Sequence, residues 1–456
     1  MNEQERKYFD KLSKDRAESA DMLEKPSMRG IKHSVVEKYS DQAHFIYELL
    51  QNADDAQATA ARFVLEPTRL IFAHNGKRLF SVSNPENEDI DSETGKLGDI
   101  NAITSIANSN KTEASIGKFG VGFKAVFQYT STPHIYDPNV CFKIERFIVP
   151  VLLDEDSSVR RPKETVFIFP FDHKDRNPEE AYADISDKLI NLSYPLLFLS
   201  NLKNIEFEFD DKIGLYEKDI KEVYNFDDTT AELVCLTQND GDDLYDKYLW
   251  LFSRKDDNNH RYSVGFFIDE KGNLRAVNEP AFCFFPTKEV TNLNFIVHAP
   301  FLLTDSREGI RAGVPHNDMM IKKLAVLAAD AIVYIKKIGE MKSRRLINDD
   351  IIKIIPYDEG KFSKLTDKRK ISFLPFYTSV RRIFENEEIL PSLNGYTYAK
   401  NAYWASVTFL PRLFSNKQLS AICDNTSACW VFTSKGRDSI QKANEVLFKY
   451  IDSLIL

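Results

Sequence analysis

The sequence predicts an α+β protein, and three observations predict it. Apolar residues recur at helical spacing in some segments, as at Phe45, Leu49, Ala53 and Ala56. Elsewhere they alternate with polar residues, as in the runs ARFVLE and RLIFAH, where the intervening Pro67 and Thr68 make a hairpin. The composition, 43% hydrophobic and 28% charged, is that of a globular chain able to bury several cores.

The 456 residues suggest about two to four domains. Phenylalanine is abundant, at 33 copies, and is expected to fill the cores. The formal net charge of -9 argues against a surface built for nucleic acid or anionic membrane. The cysteines Cys141, Cys235, Cys283, Cys423 and Cys429 are odd in number and form no CxxC pair, so buried thiols in a reducing compartment are expected rather than disulfides or zinc. The charged start MNEQERKYFDKLSKDR does not read as a signal peptide. No run approaches the roughly 18 apolar residues of a membrane span. A cytoplasmic location and no membrane partner are therefore expected.

In chain order, residues 1–25 read as a charged helix, followed by the helix containing Phe45 and then the hairpin. Residues 83–115 are polar, with one helical patch, INAITSIA, and a long polar segment inside a domain is usually functional or mobile. The glycine-rich string IGKFGVGFKAVFQY then runs into an apolar helix starting near Phe123. CFKIERFIVPVLL and ETVFIFPF read as strands, EEAYADISDKLINL as a helix and LKNIEFEFD as a strand, which closes a first domain at residue 212. Residues 213–345 form a second, mixed domain with strands YSVGFFID, AFCFFP and NFIVHAPFLL and a strong helix, DMMIKKLAVLAADAIVYIKKI. Residues 346–456 form a small C-terminal α/β extension in which LPSLNG reads as a strand entering a turn.

Four groups of residues carry chemistry. Glu48, Asn52 and Asp55 fall on one helix face, which is either simply solvated or able to hold a metal and a water: a carbonyl oxygen suits Mg²⁺, and a carboxylate can take a proton from water. Gly117, Gly120 and Gly122 let backbone approach a ligand, and the N-terminus of the helix they enter attracts phosphate, although a tight turn would use the same residues. Gly76, in the triplet His74-Asn75-Gly76, permits a sharp turn, and Thr165 places a hydroxyl at the start of a strand.

Taken in order, these groups resemble the GHKL ATPases: an E-x-x-x-N-x-x-D helix, a D-x-G turn, a lid, a G-x-x-G-x-G loop and a later threonine. The strings ELLQNADDA and IGKFGVGFKAVFQY are closest to the branch of the ninety-kilodalton heat-shock chaperones and sacsin, and the resemblance covers residues 30–210. It implies a two-layer sandwich with helices over one face of a mixed, mostly antiparallel sheet, ATP and Mg²⁺ as ligands, and slow hydrolysis. Glu48 resembles the general base and Asn52 the metal ligand. Asp55 falls near the adenine and ribose, Gly76 lines the base and Thr165 supports its recognition. Gly117, Phe119, Gly120, Val121, Gly122 and Phe123 surround the phosphates, with Ser109, Lys111 and Lys118 as further candidates. Residues 83–116 correspond to the lid. The family's adenine-binding Asp is replaced by His74; either a neutral imidazole nitrogen or the Asn75 carbonyl substitutes for it, or His74 faces the core.

A second likeness, APFLLTDSREGI at residues 299–310, resembles the catalytic loop of the chaperone middle domain and makes Arg307 the candidate for the terminal phosphate; an ordinary surface pair with Asp305 or Glu308 is the alternative. The partners implied are ATP and ADP, a protein client, and a second copy of the chain. A histidine kinase is disfavoured, because only 47 residues precede Glu48. Two alternatives stay open: a nucleotide-binding scaffold without turnover, and an ATPase component of a prokaryotic defence or nucleic-acid-processing system. The second would use the basic groups Lys336, Lys337, Lys342, Arg344 and Arg345 and Lys368–Lys370.

Overall fold

The computed structural model describes residues 1–28, 30, 45–106, 122–210, 212–304, 308–363 and 371–455. The fold is α+β, and the chain forms two compact units, Met1–Asp219 with Leu236–Asp246 and Ile220–Cys235 with Lys247–Leu456. No described helix is long and apolar enough to cross a membrane.

The first unit contains α1 (Glu3–Leu23), α2 (Phe45–Asp55), β1 (Ala60–Glu66), β2 (Arg69–His74), α3 (Glu88–Thr94), α4 (Asp99–Thr104), β3 (His134–Tyr136), β4 (Cys141–Glu145), β5 (Val149–Leu152), β6 (Thr165–Pro170), α5 (Pro178–Ile190) and β7 (Asn204–Phe209), and reaches into β8 (Lys212–Phe226). The sheet order is β8-β7-β1-β2-β6-β3-β4-β5. β1 and β2 form the expected hairpin, in register from Ala61–His74 to Glu66–Arg69. β1 runs parallel to β7, while β2, β6, β3, β4 and β5 follow one another antiparallel.

Alternation along these strands separates two faces. One is lined with phenylalanine: the Phe72 ring centre lies 4.7 Å from Phe63 and 5.8 Å from Phe167. Phe45 of α2 packs 6.1 Å from Phe169, and Phe123 packs 6.1 Å from Phe167. Burying one such ring contributes roughly 1.5–3 kcal/mol, so the helices on this face are held mainly by aromatic area. The other face buries Ile71, Ala73, Val166 and Ile168.

The helix expected after the glycine string is a 3-10 helix, Gly122–Gln128. Its three-residue period sets Lys124 over Phe127, with Nζ 5.3 Å from the ring centre, in a string whose residues 122–127 are all buried. The strand read in CFKIERFIVPVLL is two strands, β4 and β5, joined by a turn in which Arg146 and Phe147 take positive φ of 49° and 77°.

In the second unit, β11 (Arg261–Ile268), β12 (Pro280–Cys283), β13 (Phe285–Val290) and β14 (Ile296–His298) are ordered β13-β12-β14-β11. The 27-residue α6 (Pro315–Met341) buries Met320, Leu324, Ala328, Ile332 and Ile335, and α7 (Leu374–Asn386) packs along it through Phe376, Val380 and Phe384. Leu447, Phe448 and Ile451 join the same core. The long strands β8 (Lys212–Phe226), β9 (Thr229–Asn239) and β10 (Leu244–Lys255) are each divided between the units. The sequence reading had not separated them.

Candidate functional site

α2 is fixed along one face and at its C-terminal end. Phe45, Leu49, Ala53 and Ala56, the stripe read from spacing, are all buried. At the C-terminal end the buried Asp54 carboxylate accepts the backbone N–H groups of Ser200 (3.0 Å), Asn201 (2.6 Å) and Leu202 (2.8 Å). Asn201 Nδ2 donates back to the Asp54 carbonyl at 3.0 Å. Asp54 was not picked out from the sequence, because its partners lie almost 150 positions away. Together these contacts set the rotation of the helix, and so the directions of Glu48, Asn52 and Asp55.

Glu48 is buried, at 8% exposure, and its carboxylate lies against Gly122, where an added Cβ would overlap it. The last glycine of the string is therefore required by the approach of Glu48. Phe123 follows at 1% exposure against Phe167 and Phe169. Half-buried Asn52 stands one turn beyond Glu48, its side-chain amide without a hydrogen-bond partner among the described residues. No cluster of three or more His, Cys, Asp or Glu side chains able to hold a metal occurs among the described residues. One amide oxygen beside a carboxylate fits Mg²⁺, which usually takes few protein ligands and completes its shell with phosphate oxygens and water.

Asp55 is exposed, and its carboxyl is raised to about 6, first by desolvation among surrounding protein and then by Asp54, with Arg78 opposing and Glu48 adding. Arg78 lies 3.5 Å from Asp99.

The turn after β2 is built around Gly76. A Cβ there would meet His74 Nδ1 at 2.8 Å and the Ala56 side chain at 2.9 Å, and the Ala56 carbonyl accepts the N–H of Lys77 at 2.8 Å. Asn75 is committed to the start of β1: its Oδ1 accepts the N–H of Thr59 (2.8 Å) and Ala60 (3.0 Å), and its Nδ2 donates to Thr59 Oγ1. His74 is 5% exposed between Phe72 and Phe167, and its Nδ1 accepts the Gly76 N–H at 3.1 Å. Desolvation lowers its pKa to about 4. Thr165, directly across from His74, is 1% exposed and donates to Asp137 Oδ2 at 2.6 Å.

The described part of residues 83–116 is packed at α4, whereas α3 buries no residue. Asn101 Nδ2 donates to Glu88 Oε1 at 2.9 Å, Arg16 of α1 pairs with the same carboxylate at 2.7 Å, and Ile100 to Thr104 are buried. Lys124 is a further buried group that the sequence did not mark. Its Nζ donates to the Phe147 carbonyl at 2.8 Å and lies 4.8 Å from the Phe147 ring centre; burial holds its pKa well below the usual lysine range.

Ser109, Lys111, Gly117, Lys118, Phe119, Gly120, Val121 and Arg307 lie outside the described residues. The feet of the loop carrying Arg307 are tied: Leu303 bridges Ile310, the Thr304 N–H donates to the Gly309 carbonyl at 2.8 Å, and Glu308 pairs with Lys288. Among the basic groups, Lys336 donates to the Glu388 carbonyl, Lys342 pairs with Glu222, Arg344 donates to the Lys271 carbonyl, and Arg345 to those of Ser392 and Gly395. Lys368–Lys370 lie outside the described residues. The five cysteines form no disulfide; Cys235 is buried and the other four are half-buried.

Comparison with known proteins bears on the first unit most directly. Residues 25–142 match the family model described as the Sacsin domain. The chain is 26% identical over 339 residues to Protein NO VEIN of Arabidopsis thaliana, covering 65% of this chain and 11% of that protein. It is 30% identical over 128 residues to Sacsin of Homo sapiens, covering 24% of this chain and 3% of that protein. The chain thus spans only a small part of the length of either relative. The segment that holds Glu48, Asn52, Asp55, the His74-Asn75-Gly76 turn and the glycine string is sacsin-like.

Proposed function

We propose that the first unit binds ATP with Mg²⁺ in the manner of GHKL ATPases and hydrolyses it slowly, as a conformational switch. The observation that carries this reading is the approach of the Glu48 carboxylate to Gly122. It joins the two strings of the resemblance, more than 70 positions apart, and puts a buried proton acceptor beside the backbone expected to border the phosphates.

In this reading Glu48 takes the proton of the attacking water, and its burial keeps bulk water from competing for it. The Asn52 amide oxygen would hold Mg²⁺, which when bound would supply charge neutralisation on the phosphates. Asp54 holds α2 so that both side chains keep their direction. The lid in this reading is residues 83–116, whose described part is joined to α1 through Glu88 and Arg16. Arg307 is the proposed further contact of the terminal phosphate. Turnover is slow because the catalytic parts must first come together. The nucleic-acid alternative is weakened by the intrachain partners of Lys336, Lys342, Arg344 and Arg345.

Titration calorimetry with MgATP, paired with phosphate release by the wild type and Glu48→Ala, tests the proposal. The expected result is ATP uptake by both proteins and a loss of turnover of at least a hundredfold in Glu48→Ala. Binding by both with no turnover in either would leave a scaffold; no binding by the folded wild type would end the reading.

A further inference from the structure

The strip Gly122–Gln128 meets Glu48 at its first residue and runs as a 3-10 helix of seven residues. Runs of that helix beyond about three to four residues are uncommon, because its hydrogen bonds are poorly aligned. Phe123, Ala125, Val126 and Phe127 bury apolar area, which attracts without direction. Neither effect fixes the strip to a fraction of an ångström. Yet Gly122 lies so close to the Glu48 carboxylate that one added carbon would overlap it.

Lys124 supplies the direction that the rest of the strip lacks. It is 1% exposed, and its Nζ donates to the Phe147 carbonyl at 2.8 Å, beside the Phe127 and Phe147 rings, whose centres are 4.8 Å apart. Burying an amine costs free energy, and the cost shows in a pKa held well below the usual lysine range. An apolar side chain of similar length would fill the same space without that cost, so what the amine adds is its bond to the carbonyl. That carbonyl is itself held. It belongs to the turn between β4 and β5, where Arg146 and Phe147 take positive φ. Arg146 ties this turn to the end of α1 through Glu24 at 2.9 Å and Asp21 at 2.6 Å.

We infer that Lys124 is a positioning residue for Glu48: its bond to the Phe147 carbonyl fixes the strip Gly122–Gln128 so that Gly122 closes on the carboxylate in the arrangement that turnover needs. This role rests on the nucleotide-binding reading above and deepens it. Lys124 acts through Gly122 and not on the reacting atoms. A displacement of about 1 Å at a catalytic group can cost on the order of a hundredfold in rate. Without the amine, the strip keeps its apolar burial but loses the bond that sets its distance from Glu48.

The test measures MgATP binding by calorimetry and phosphate release on the full chain, for the wild type, Lys124→Met, Glu48→Ala and the double variant. Lys124→Met is expected to keep the wild-type circular dichroism, to bind MgATP within about threefold of the wild type, and to lose turnover about tenfold or more. In the Glu48→Ala background the same change is expected to do nothing further to the residual turnover, because its effect runs through that carboxylate. Wild-type turnover in folded Lys124→Met overturns the inference and leaves ATP hydrolysis standing. So does an equal proportional loss in both backgrounds, or a loss of affinity as large as the loss of turnover. If Lys124→Met does not fold, Arg146→Ala decides, since it frees the same turn from the exposed Asp21 and Glu24. A fall in turnover of about threefold or more at unchanged affinity supports the inference, and unchanged turnover overturns it. A folded wild type that binds no MgATP, or binds it without turnover, removes the hydrolysis reading and this role with it.

Discussion

Arg78 acts on two nearby titratable groups, and acid affects them with opposite sign. His74 has a folded pKa of about 4 against an ordinary 6.5, so the unfolded chain takes up the proton first. Its contribution to stability is lost as pH falls from 6.5 toward 4, by an amount on the order of 3 kcal/mol. Asp55 has a folded pKa of about 6 against 3.8, so the folded chain binds the proton first and gains stability over the same acid range. Asp55 is exposed, and solvent screening reduces that gain to about 1 kcal/mol. The two effects partly offset each other between pH 6 and 4. Asp55→Asn is therefore expected to be more stable than the wild type at pH 7.5, by about 1 kcal/mol, and to lose stability more steeply on acidification. Urea unfolding at pH 7.5 and pH 4.5 measures both; a variant less stable than the wild type at pH 7.5 contradicts the assignment. At this scale the sequence marked His74 and Asp55 as site residues but not their protonation, which depends on burial among Phe72, Phe167 and neighbouring carboxylates.

The helix α2 shows what a motif conveys and what it omits. Its apolar stripe was legible because Phe45, Leu49, Ala53 and Ala56 repeat at helical spacing, and the hairpin after it was legible because Pro67 and Thr68 interrupt two alternating runs. Asp54 was not legible. It looks like one more acidic residue at a helix end, and its three N–H donors come from a loop near residue 201. Asp54→Ala leaves those donors without the carboxylate and is expected to cost about 3 kcal/mol in chemical denaturation, with Asp54→Asn intermediate. An Ala variant as stable as the wild type would mean that water replaces the carboxylate freely. The strand Lys212–Phe226 was missed for another reason: its run KDIKEVYNF buries few positions, so charge hides the period of two. The same logic applies to Asp137, which sits in a short turn and gains meaning only when β6 brings Thr165 beside it.

For the whole chain, the mixed class was legible from the alternation of patterns, whereas the partition into units was set by contacts distant in sequence. The three tryptophans, Trp250, Trp404 and Trp430, all belong to the second unit. Tryptophan fluorescence therefore follows that unit, whereas circular dichroism follows both. A ligand present at about a hundred times its dissociation constant adds about 2.7 kcal/mol of stability to what binds it. MgATP is expected to raise the thermal midpoint seen by circular dichroism; a rise confined to the fluorescence signal would place the nucleotide elsewhere. Lys124 adds a consequence of a different kind. Its amine is enclosed by Phe127, Phe147 and a backbone carbonyl, so acylating or biotinylating reagents reach it only after the strip Gly122–Gln128 has come away. The rate at which that amine becomes labelled is thus a clock for the opening of the segment that borders Glu48.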